Sequence, residues 1–452
     1  MREQKCFQPI GTERTLKVQD NENLQWRESS FKAITPFIVF VIFYFGFSIW
    51  ARDFSRVPMT AAFLISSAAA LILNHKEKLS KKIELFACGM GNKDIMIMCL
   101  VFILAGAFAA SASAAGGADA VVRIAQYFIP EQFMVFGIFI VSALISLAIG
   151  TSCGTIAAIA PIAVSISQNF GINPDFALGA AIGGAMFGDN MSLISDTTIA
   201  ASRTQNVEMR DEMYANFKIV IAPAIICALF YMLPIFSGNA CGQIETALTI
   251  EDFIKAAPYI LLLILGVLGV NVMFLLFFGT IVNIIIGISA GLFDIFQALE
   301  NIGTGIASTA PTLTAAMLAG GLLQLVRYNG GINYIIEKTG NFIKDRKTCE
   351  TGICFLTAAV NLFTANNTVA IITSGAAARE LSKKYNVPPV RTASLLDTSS
   401  CAVQGLLPYG AQILIASSLA ASAGASSFSI LQGMFYPVFV LFGLLFSISR
   451  TK

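Results

Sequence analysis

The stretch Gly150-Thr-Ser-Cys-Gly-Thr155 and the later stretch Thr364-Ala-Asn-Asn-Thr368 look like two versions of one unit. Each interrupts an apolar run and is followed by a small-residue segment and then a proline, Pro174 or Pro389. Thr155 and Thr368, the last residues of the two stretches, are separated along the chain by almost the same number of residues as the two prolines. A further matching pair upstream, Gly116 and Gly330, shares this offset. The nearly constant spacing indicates an internal duplication.

The composition places the chain in a membrane. Hydrophobic residues make up 56% of the sequence and charged residues 12%, whereas a soluble domain carries about 25% charged residues. The nine cysteines contain no Cys-x-x-Cys pair, so neither a disulfide framework nor a metal site is indicated. A net charge of +2 gives no indication of a nucleic-acid partner. The expected partner is the lipid bilayer.

Eleven runs are apolar enough to be candidate spans, because a bilayer crossing takes about 20 mostly apolar residues. The run 258–288 is long enough for two helices, with a break predicted at 266–271. The others are 34–50, 57–73, 95–115, 133–148, 176–201, 219–236, 311–326, 353–363, 392–421 and 430–448.

The distribution of Lys and Arg predicts opposite orientations for the two halves. A loop with four lysines between Lys76 and Lys82 is placed in the cytoplasm by the positive-inside rule. Its counterpart in the second half, near Asp294 and Glu300, has no Lys or Arg. We therefore predict an all-α polytopic membrane protein with two inverted-topology repeats. It is expected to be a multi-pass protein of the cell membrane with both termini in the cytoplasm.

The predicted organisation follows from these runs. Residues 1–32 form a cytoplasmic tail, 33–237 the first repeat, 238–257 an external loop and 258–452 the second repeat. Within each repeat a re-entrant hairpin is followed by a broken transmembrane helix, because non-helical backbone at membrane depth must be buried or line a wet cavity. The hairpins are predicted at about 133–170 and 351–385, and the broken helices at about 176–203 and 392–421.

The predicted binding site combines these polar interruptions. Three carboxylates lie in otherwise apolar segments, Asp189, Asp196 and Asp397, and ionisable groups there indicate function. Carboxylate, hydroxyl and carbonyl oxygens are the ligands of hard cations such as Na⁺. A dehydrated carboxylate also binds protons, so the two ions compete. We assign Na⁺ and H⁺ binding to Asp189 and Asp196, assisted by Asp397, with further binding residues Ser152, Thr155, Asn190, Ser195, Thr197, Asn366, Asn367, Thr368 and Thr398.

The sequence resembles the NhaC-type Na⁺/H⁺ antiporters of the ion transporter superfamily. The resemblance is carried by Gly150-Thr-Ser-Cys-Gly-Thr155, by Phe187-Gly-Asp-Asn-Met-Ser-Leu-Ile-Ser-Asp-Thr-Thr198, and by Asp397-Thr398 with Leu407-Pro408. The chain departs from the family pattern at four places. It has Asn190 where Lys is usual, Leu193 where Pro is usual, Leu396 where an acidic residue is common, and Tyr409-Gly410 where a Trp-Asn pair is usual.

The resemblance implies a secondary transporter that exchanges Na⁺ for H⁺ by alternating access, and not an enzyme. No cofactor is expected beyond Na⁺ and H⁺ as transported or coupling ions. The substrate would be a small ion or small molecule. A homodimer is possible by the same resemblance, with the hairpins and broken helices moving against a scaffold of 34–115 and 258–326.

Three alternatives remain open at this stage. On the same fold, the amides Asn366, Asn367, Gln404 and Gln412 would suit an amino acid or small organic acid, carried with Na⁺ or H⁺. Asp189 and Asp397 would form the dyad of an intramembrane aspartyl protease, although the Gly-x-Gly-Asp pattern is missing. An ion channel is the third alternative, but carboxylates in broken helices suit occlusion better than free conduction.

Overall fold

The fold is entirely helical in the part of the chain that the structure describes. The structure is a computed structural model that describes residues 29–51, 56–73, 77–128, 130–193, 195–233, 248–268 and 270–451. In these ranges it has twenty α-helices and several short 3-10 turns, but no strand. Six described helical segments are long and apolar enough to cross a bilayer: Phe31–Ala51, Ile95–Ala114, Ser152–Phe170, Met209–Phe230, Val272–Ser289 and Ile295–Tyr328.

The described helices form two sets of ten that correspond in chain order. The first set is α1 (Thr35–Ala51), α2 (Met59–Ile72), α3 (Leu79–Met90), α4 (Lys93–Ala114), α5 (Gly117–Phe128), α6 (Met134–Ile149), α7 (Ser152–Phe170), α8 (Pro174–Asn190), α9 (Asp196–Gln205) and α10 (Met209–Phe230). The second set is α11 (Ile250–Val267), α12 (Val272–Ser289), α13 (Ile295–Ser308), α14 (Ala310–Tyr328), α15 (Gly331–Phe342), α16 (Arg346–Thr364), α17 (Asn367–Lys384), α18 (Pro389–Gln404), α19 (Ala411–Leu419) and α20 (Phe435–Ser449).

The two polar stretches form the tips of helical hairpins. Hairpin 1 is α6 with α7, and hairpin 2 is α16 with α17. In each tip the first helix ends on a left-handed residue, Gly150 with φ +74° or Ala365 with φ +49°. The next residue, Thr151 or Asn366, is extended, and its side-chain oxygen caps the second helix. The same turn chemistry in both tips is the local cause of the duplicated fold.

Each hairpin leads into a broken helix, and the two broken helices run in opposite directions. Broken helix 1 (α8, α9) begins just after the base of hairpin 1 and ends at Gln205, which shares a cavity with Ser382 and Lys383 at the base of hairpin 2. Broken helix 2 (α18, α19) begins just after hairpin 2. It ends at Leu419, which shares a cavity with Gln168 near the base of hairpin 1. The hairpins therefore enter from opposite sides, which confirms the predicted inverted-repeat fold.

Glycines allow hairpin 1 and broken helix 1 to pack backbone against backbone. A Cβ atom at Gly184 would lie 2.1 Å from the carbonyl oxygen of Phe139, and one at Gly188 would lie 2.2 Å from that of Ala143. No side chain fits at either position without moving α8 away from α6. Close contact through small residues is the usual way in which membrane helices associate, and here it fixes the position of the end of α8.

The predicted long run 258–288 is indeed two helices, because α11 ends at Val267 and α12 begins at Val272. Two predicted loops are present but shorter than expected, since Lys78 and Asp294 directly precede helices. Lys81 and Lys82 lie within α3, and Glu300 lies within α13. In α3 the lysines and Glu84 lie among apolar residues, and in α13 Glu300 is the single charged residue, so a few charges resembled a loop. The tail up to residue 28, residues 74–76 of the basic loop and residues 234–247, most of them in the predicted external loop, lie outside the described residues.

Candidate functional site

The two hairpin tips and the breaks in both broken helices meet at one cavity of about 710 Å³. The breaks are 191–195 in the first repeat and 405–410 in the second. Eight of the residues predicted from the sequence line this cavity: Ser152, Asp189, Ser195, Asp196, Thr197, Asn366, Asn367 and Thr368. The fold therefore brings together polar residues from both halves of the chain.

Asp189 is a carboxylate on the cavity wall whose two oxygens are both hydrogen-bonded. It lies in the last turn of α8 and is 5% exposed. One carboxylate oxygen accepts a hydrogen bond from Ser152 Oγ at 2.9 Å, and the other accepts one from Ser195 Oγ at 2.7 Å. Both donors are hydroxyls, so they can rotate and present oxygen instead of hydrogen to a cation. Asp189 thus sits where hairpin 1 meets the break in broken helix 1.

Ser152 also connects the two repeats. Its hydroxyl accepts a hydrogen bond from Gln412 Nε2, in the first turn of α19, at 3.2 Å. Asp196 is the first residue of α9, directly after the capping residue Ser195, and its side chain is exposed to the cavity. Two carboxylates of the first repeat and amides of the second repeat therefore face the same space.

Four helices begin at the cavity, and their N-termini carry partial positive charge. These are α7, α9, α17 and α19, whose first residues all line the cavity: Ser152, Asp196, Asn367 and Ala411. Their backbone dipoles stabilise anionic groups nearby, which includes the ionised side chains of Asp189 and Asp196. This arrangement lowers the cost of placing two carboxylates close together on the wall of one cavity.

Four predicted site residues do not line the cavity, and here the structure differs from the expectation. Thr155 donates to the Thr151 carbonyl at 2.9 Å, and Thr398 donates to the Ser394 carbonyl at 2.6 Å. Both hydroxyls are thus used within their own helices. Asn190 Nδ2 donates to the Tyr436 hydroxyl at 3.2 Å, which directs it towards α20. The predicted residues are on helices that reach the cavity, but the rotation of each helix places these side chains elsewhere.

Asp397, the fourth of these residues, is also separate from the cavity. It is 0% exposed, lies in the middle of α18 and accepts a hydrogen bond from Asn216 Nδ2 at 2.8 Å. Both oxygens of Asp189 accept hydrogen bonds from serines, and Asp397 accepts one from Asn216, so the two carboxylates do not form the hydrogen-bonded dyad that an aspartyl protease requires. The protease alternative therefore has no support in this geometry.

The cavity also contains two amides that were named from the sequence only for an organic solute. Gln404 and Gln412 both line it, and each has a buried Oε1 atom without a hydrogen-bond donor among the described residues. Gln404 is the second-repeat counterpart of Asp189, so the repeat places an amide where the first half has a carboxylate. Alignment of the two repeats was the signal that would have identified it. Two basic residues, Lys93 and Arg203, line the cavity as well.

Comparisons with known proteins lead to one family of membrane transporters. The profile of the Na⁺/H⁺ antiporter family matches residues 12–234 and 239–448. The chain is 24% identical to the Na⁺/H⁺ antiporter NhaC of Bacillus subtilis, over 78% of this chain and 84% of that protein. It is 23% identical to the NhaC of Alkalihalophilus pseudofirmus, over 71% of this chain and 74% of the relative. The malate-2H⁺/Na⁺-lactate antiporter of B. subtilis is 25% identical over 50% of this chain and 47% of its own length.

Among solved structures, the YdaH transporter of Alcanivorax borkumensis is similar over 91% of this chain and 97% of that chain, with a TM-score of 0.42 and 15% identity. The family profile covers nearly the whole sequence in two blocks. The chain therefore belongs to the Na⁺/H⁺ antiporter family and is a secondary transporter of the membrane.

Proposed function

We propose that the protein exchanges Na⁺ for H⁺ and that Asp189 is the residue at which the two ions compete. The observation that carries this proposal is the position of Asp189, nearly buried at the cavity where both hairpin tips meet. A single carboxylate cannot hold a proton and coordinate Na⁺ through the same oxygens at once. Competition at one site that opens alternately to each side is sufficient for exchange.

The surrounding oxygens would complete the coordination of Na⁺. Ser152 and Ser195 already contact Asp189, and rotation of their hydroxyls would direct lone pairs to the ion. Asp196 would supply a second carboxylate on the cavity wall. From the other repeat, the Oε1 atom of Gln412 or Gln404 has no donor among the described residues and is free to act as a ligand. Oxygen ligands of this kind suit a hard cation.

Movement of the site between the two sides would involve the hairpins and broken helices as one unit. In support, Gln404 Nε2 donates to the Ala365 carbonyl in the tip of hairpin 2 at 2.6 Å, so this broken helix is bonded to its own hairpin. The scaffold would comprise residues 34–115 and 258–326. The protein would reside in the cell membrane with both termini in the cytoplasm, as the basic residues Lys78, Lys81 and Lys82 suggest.

The test is proton-coupled Na⁺ flux in proteoliposomes that contain purified protein. Asp189→Asn should abolish Na⁺-dependent collapse of a pH gradient, because an amide neither exchanges a proton in this range nor carries charge for Na⁺. Asp175→Asn is the matched control, since Asp175 is at the other end of α8 and bonds to Ser429, 2.8 Å away. Unchanged exchange in Asp189→Asn would refute the role of this residue.

An organic anion is the second candidate, although exchange of inorganic ions is favoured by the two NhaC relatives. Lys93 and Arg203 line the cavity, and four helix N-termini add positive potential that would suit a carboxylate solute. The same proteoliposomes should therefore be assayed with malate, lactate and amino acids in place of Na⁺. Accumulation of one of these solutes, without exchange of Na⁺ for H⁺, would replace the first proposal by the second.

A further inference from the structure

A second polar cluster lies outside the cavity, where α9, α10 and α18 meet. Its centre is formed by Glu212 of α10 and Asp397 of α18, which α10 brings together: Asn216, one turn after Glu212 on the same face of α10, donates to Asp397 Oδ2 at 2.8 Å. Both residues are 0% exposed. Glu212 is not among the residues predicted from the sequence, because it follows Arg210 and Asp211 and so resembles part of a charged loop. In the structure it lies in the first turn of α10 and faces inward.

The hydrogen bonds of this pair leave two oxygens without a donor. Ser202 donates to Glu212 Oε2, and Asn216 Nδ2 donates to Asp397 Oδ2 at 2.8 Å. The Thr197 hydroxyl is also near Asp397. It lies 3.0 Å from the Ser195 hydroxyl, which donates to Asp189 and therefore accepts the hydrogen bond from Thr197. The remaining oxygens, Glu212 Oε1 and Asp397 Oδ1, are buried and accept no hydrogen bond from the described residues. Buried polar atoms are almost always paired, so the group missing at these oxygens is a donor.

The charged groups on α8, α9 and α10 do not supply that donor. Asp189 of α8 is close enough to repel Asp397. On α9, Asp196 and Arg203 line the cavity. On α10, the neighbours of Glu212 are the residues 210 and 211, and both are exposed. None of these groups places a proton donor at the two open oxygens.

The titratable groups on α18 and α20 do not supply it either. At the start of α18, Arg391 is paired with Glu350. The remaining titratable neighbours of Asp397 are neutral, the thiol of Cys401 and the phenol of Tyr436 on α20. Within the described residues, no basic side chain pairs with either carboxyl of the cluster.

Elementary electrostatics then determines the state of the pair. Two ionised carboxylates in contact, both removed from water and without a basic partner, repel each other and are poorly solvated. One proton removes the repulsion and forms the missing hydrogen bond, since a protonated carboxyl is a donor and a carboxylate is an acceptor. A metal ion fits less well, because no group of three or more His, Cys, Asp or Glu side chains that could hold one occurs among the described residues.

We propose that Glu212 and Asp397 form a second proton-binding site, which holds one shared proton and is separate from the cavity. The site is independent of the role proposed for Asp189 and goes beyond it. It lies at the contact of broken helices 1 and 2 with α10. Loss of its proton would leave two adjacent anions at that contact, so the proton stabilises this arrangement of the helices.

The test counts protonated carboxyls by infrared spectroscopy of the protein reconstituted in lipid at neutral pH. All variants carry Asp189→Asn, so that protonation of Asp189 does not contribute to the carboxylic-acid carbonyl band. In that background, the double substitution Glu212→Gln with Asp397→Asn should remove one carboxylic-acid equivalent, and neither single substitution should remove more than one, because the buried carboxyl that remains can keep the proton. Asp211→Asn, the exposed neighbour of Glu212, is the matched control and should remove none.

Loss of one equivalent on removal of two carboxyls is the signature of a shared proton. Loss of none in the double variant would mean that both groups are ionised, and loss of two would mean that each binds its own proton. Either result overturns the proposal. If Glu212→Gln does not fold, Asp397→Asn alone should either remove one equivalent or shift the remaining carboxylic-acid band, because the partner of the proton has changed, and an unchanged band overturns the proposal. The band is observed without any transport assay, so failure of Na⁺/H⁺ exchange would not affect this result.

Discussion

Replacing Arg391 with methionine should destabilise the protein more than replacing its partner Glu350 with glutamine. Glu350 lies near the base of hairpin 2 and is 0% exposed, while the side chain of Arg391 in α18 is 19% exposed. Arg391 donates to one Glu350 oxygen through Nη2 at 2.9 Å and Nε at 3.2 Å. Thr451 also donates to that oxygen at 3.0 Å. The pair thus joins hairpin 2 and broken helix 2 to the end of the chain.

The difference in burial sets the magnitudes. Arg391→Met leaves a buried carboxylate without its main partner, which costs about 3–5 kcal/mol. Glu350→Gln keeps a carbonyl acceptor and leaves a cation that still bonds to Ser447 at 2.8 Å and reaches water, so a cost of about 1–2 kcal/mol is expected. The double variant leaves no unpaired charge, and its cost should fall below the sum of the single costs by about 1–3 kcal/mol.

The assay is the free energy of unfolding of the purified protein in detergent, measured from denaturant midpoints for the four members of the cycle. Arg379→Met, which removes an exposed arginine from α17, is the control and should have little effect. Equal destabilisation by the two single substitutions, or strictly additive effects in the double variant, would refute the reasoning from burial.

Two further predictions concern the first hairpin tip and an exposed helix cap. Ser152→Ala should weaken apparent Na⁺ affinity about tenfold, since a lost hydrogen bond to a charged group costs about 1.5–3 kcal/mol. Thr155→Ala on the same helix should leave transport within about twofold, because the Thr155 hydroxyl bonds to its own helix. Equal effects of the two substitutions in a flux assay would contradict the assignment of Ser152. Backbone and side-chain hydrogen bonds from Thr348 lower the pKa of Asp345, the exposed cap of α16. That cap should therefore stabilise the protein above about pH 4 and lose its effect as the pH falls through the lowered pKa, so the melting-temperature gap to Asp345→Asn should close in acid.

The sequence allowed the duplicated hairpins and much of the cavity to be predicted because both depend on local chemistry. A polar stretch with helix caps inside an apolar run must form a tip, and a tip in a membrane must line a cavity or be buried. Ser152, Asp189 and Asn366 could therefore be assigned from their positions next to these breaks. The prediction was less accurate in helix interiors. Thr155 and Thr398 are on helices that reach the cavity, but their hydroxyls bond to their own backbone.

By itself, the sequence determined the membrane location, the two repeats and the breaks that carry carboxylates, since these follow from hydropathy, periodic matching and capping residues. Only the tertiary structure decided which face of each helix points into the cavity, because packing at glycines such as Gly184 fixes the rotation and spacing of the helices. The same packing separated Asp397 from the cavity and brought it against α10, where Asn216 donates to it, a contact between opposite halves of the chain that no local pattern encodes.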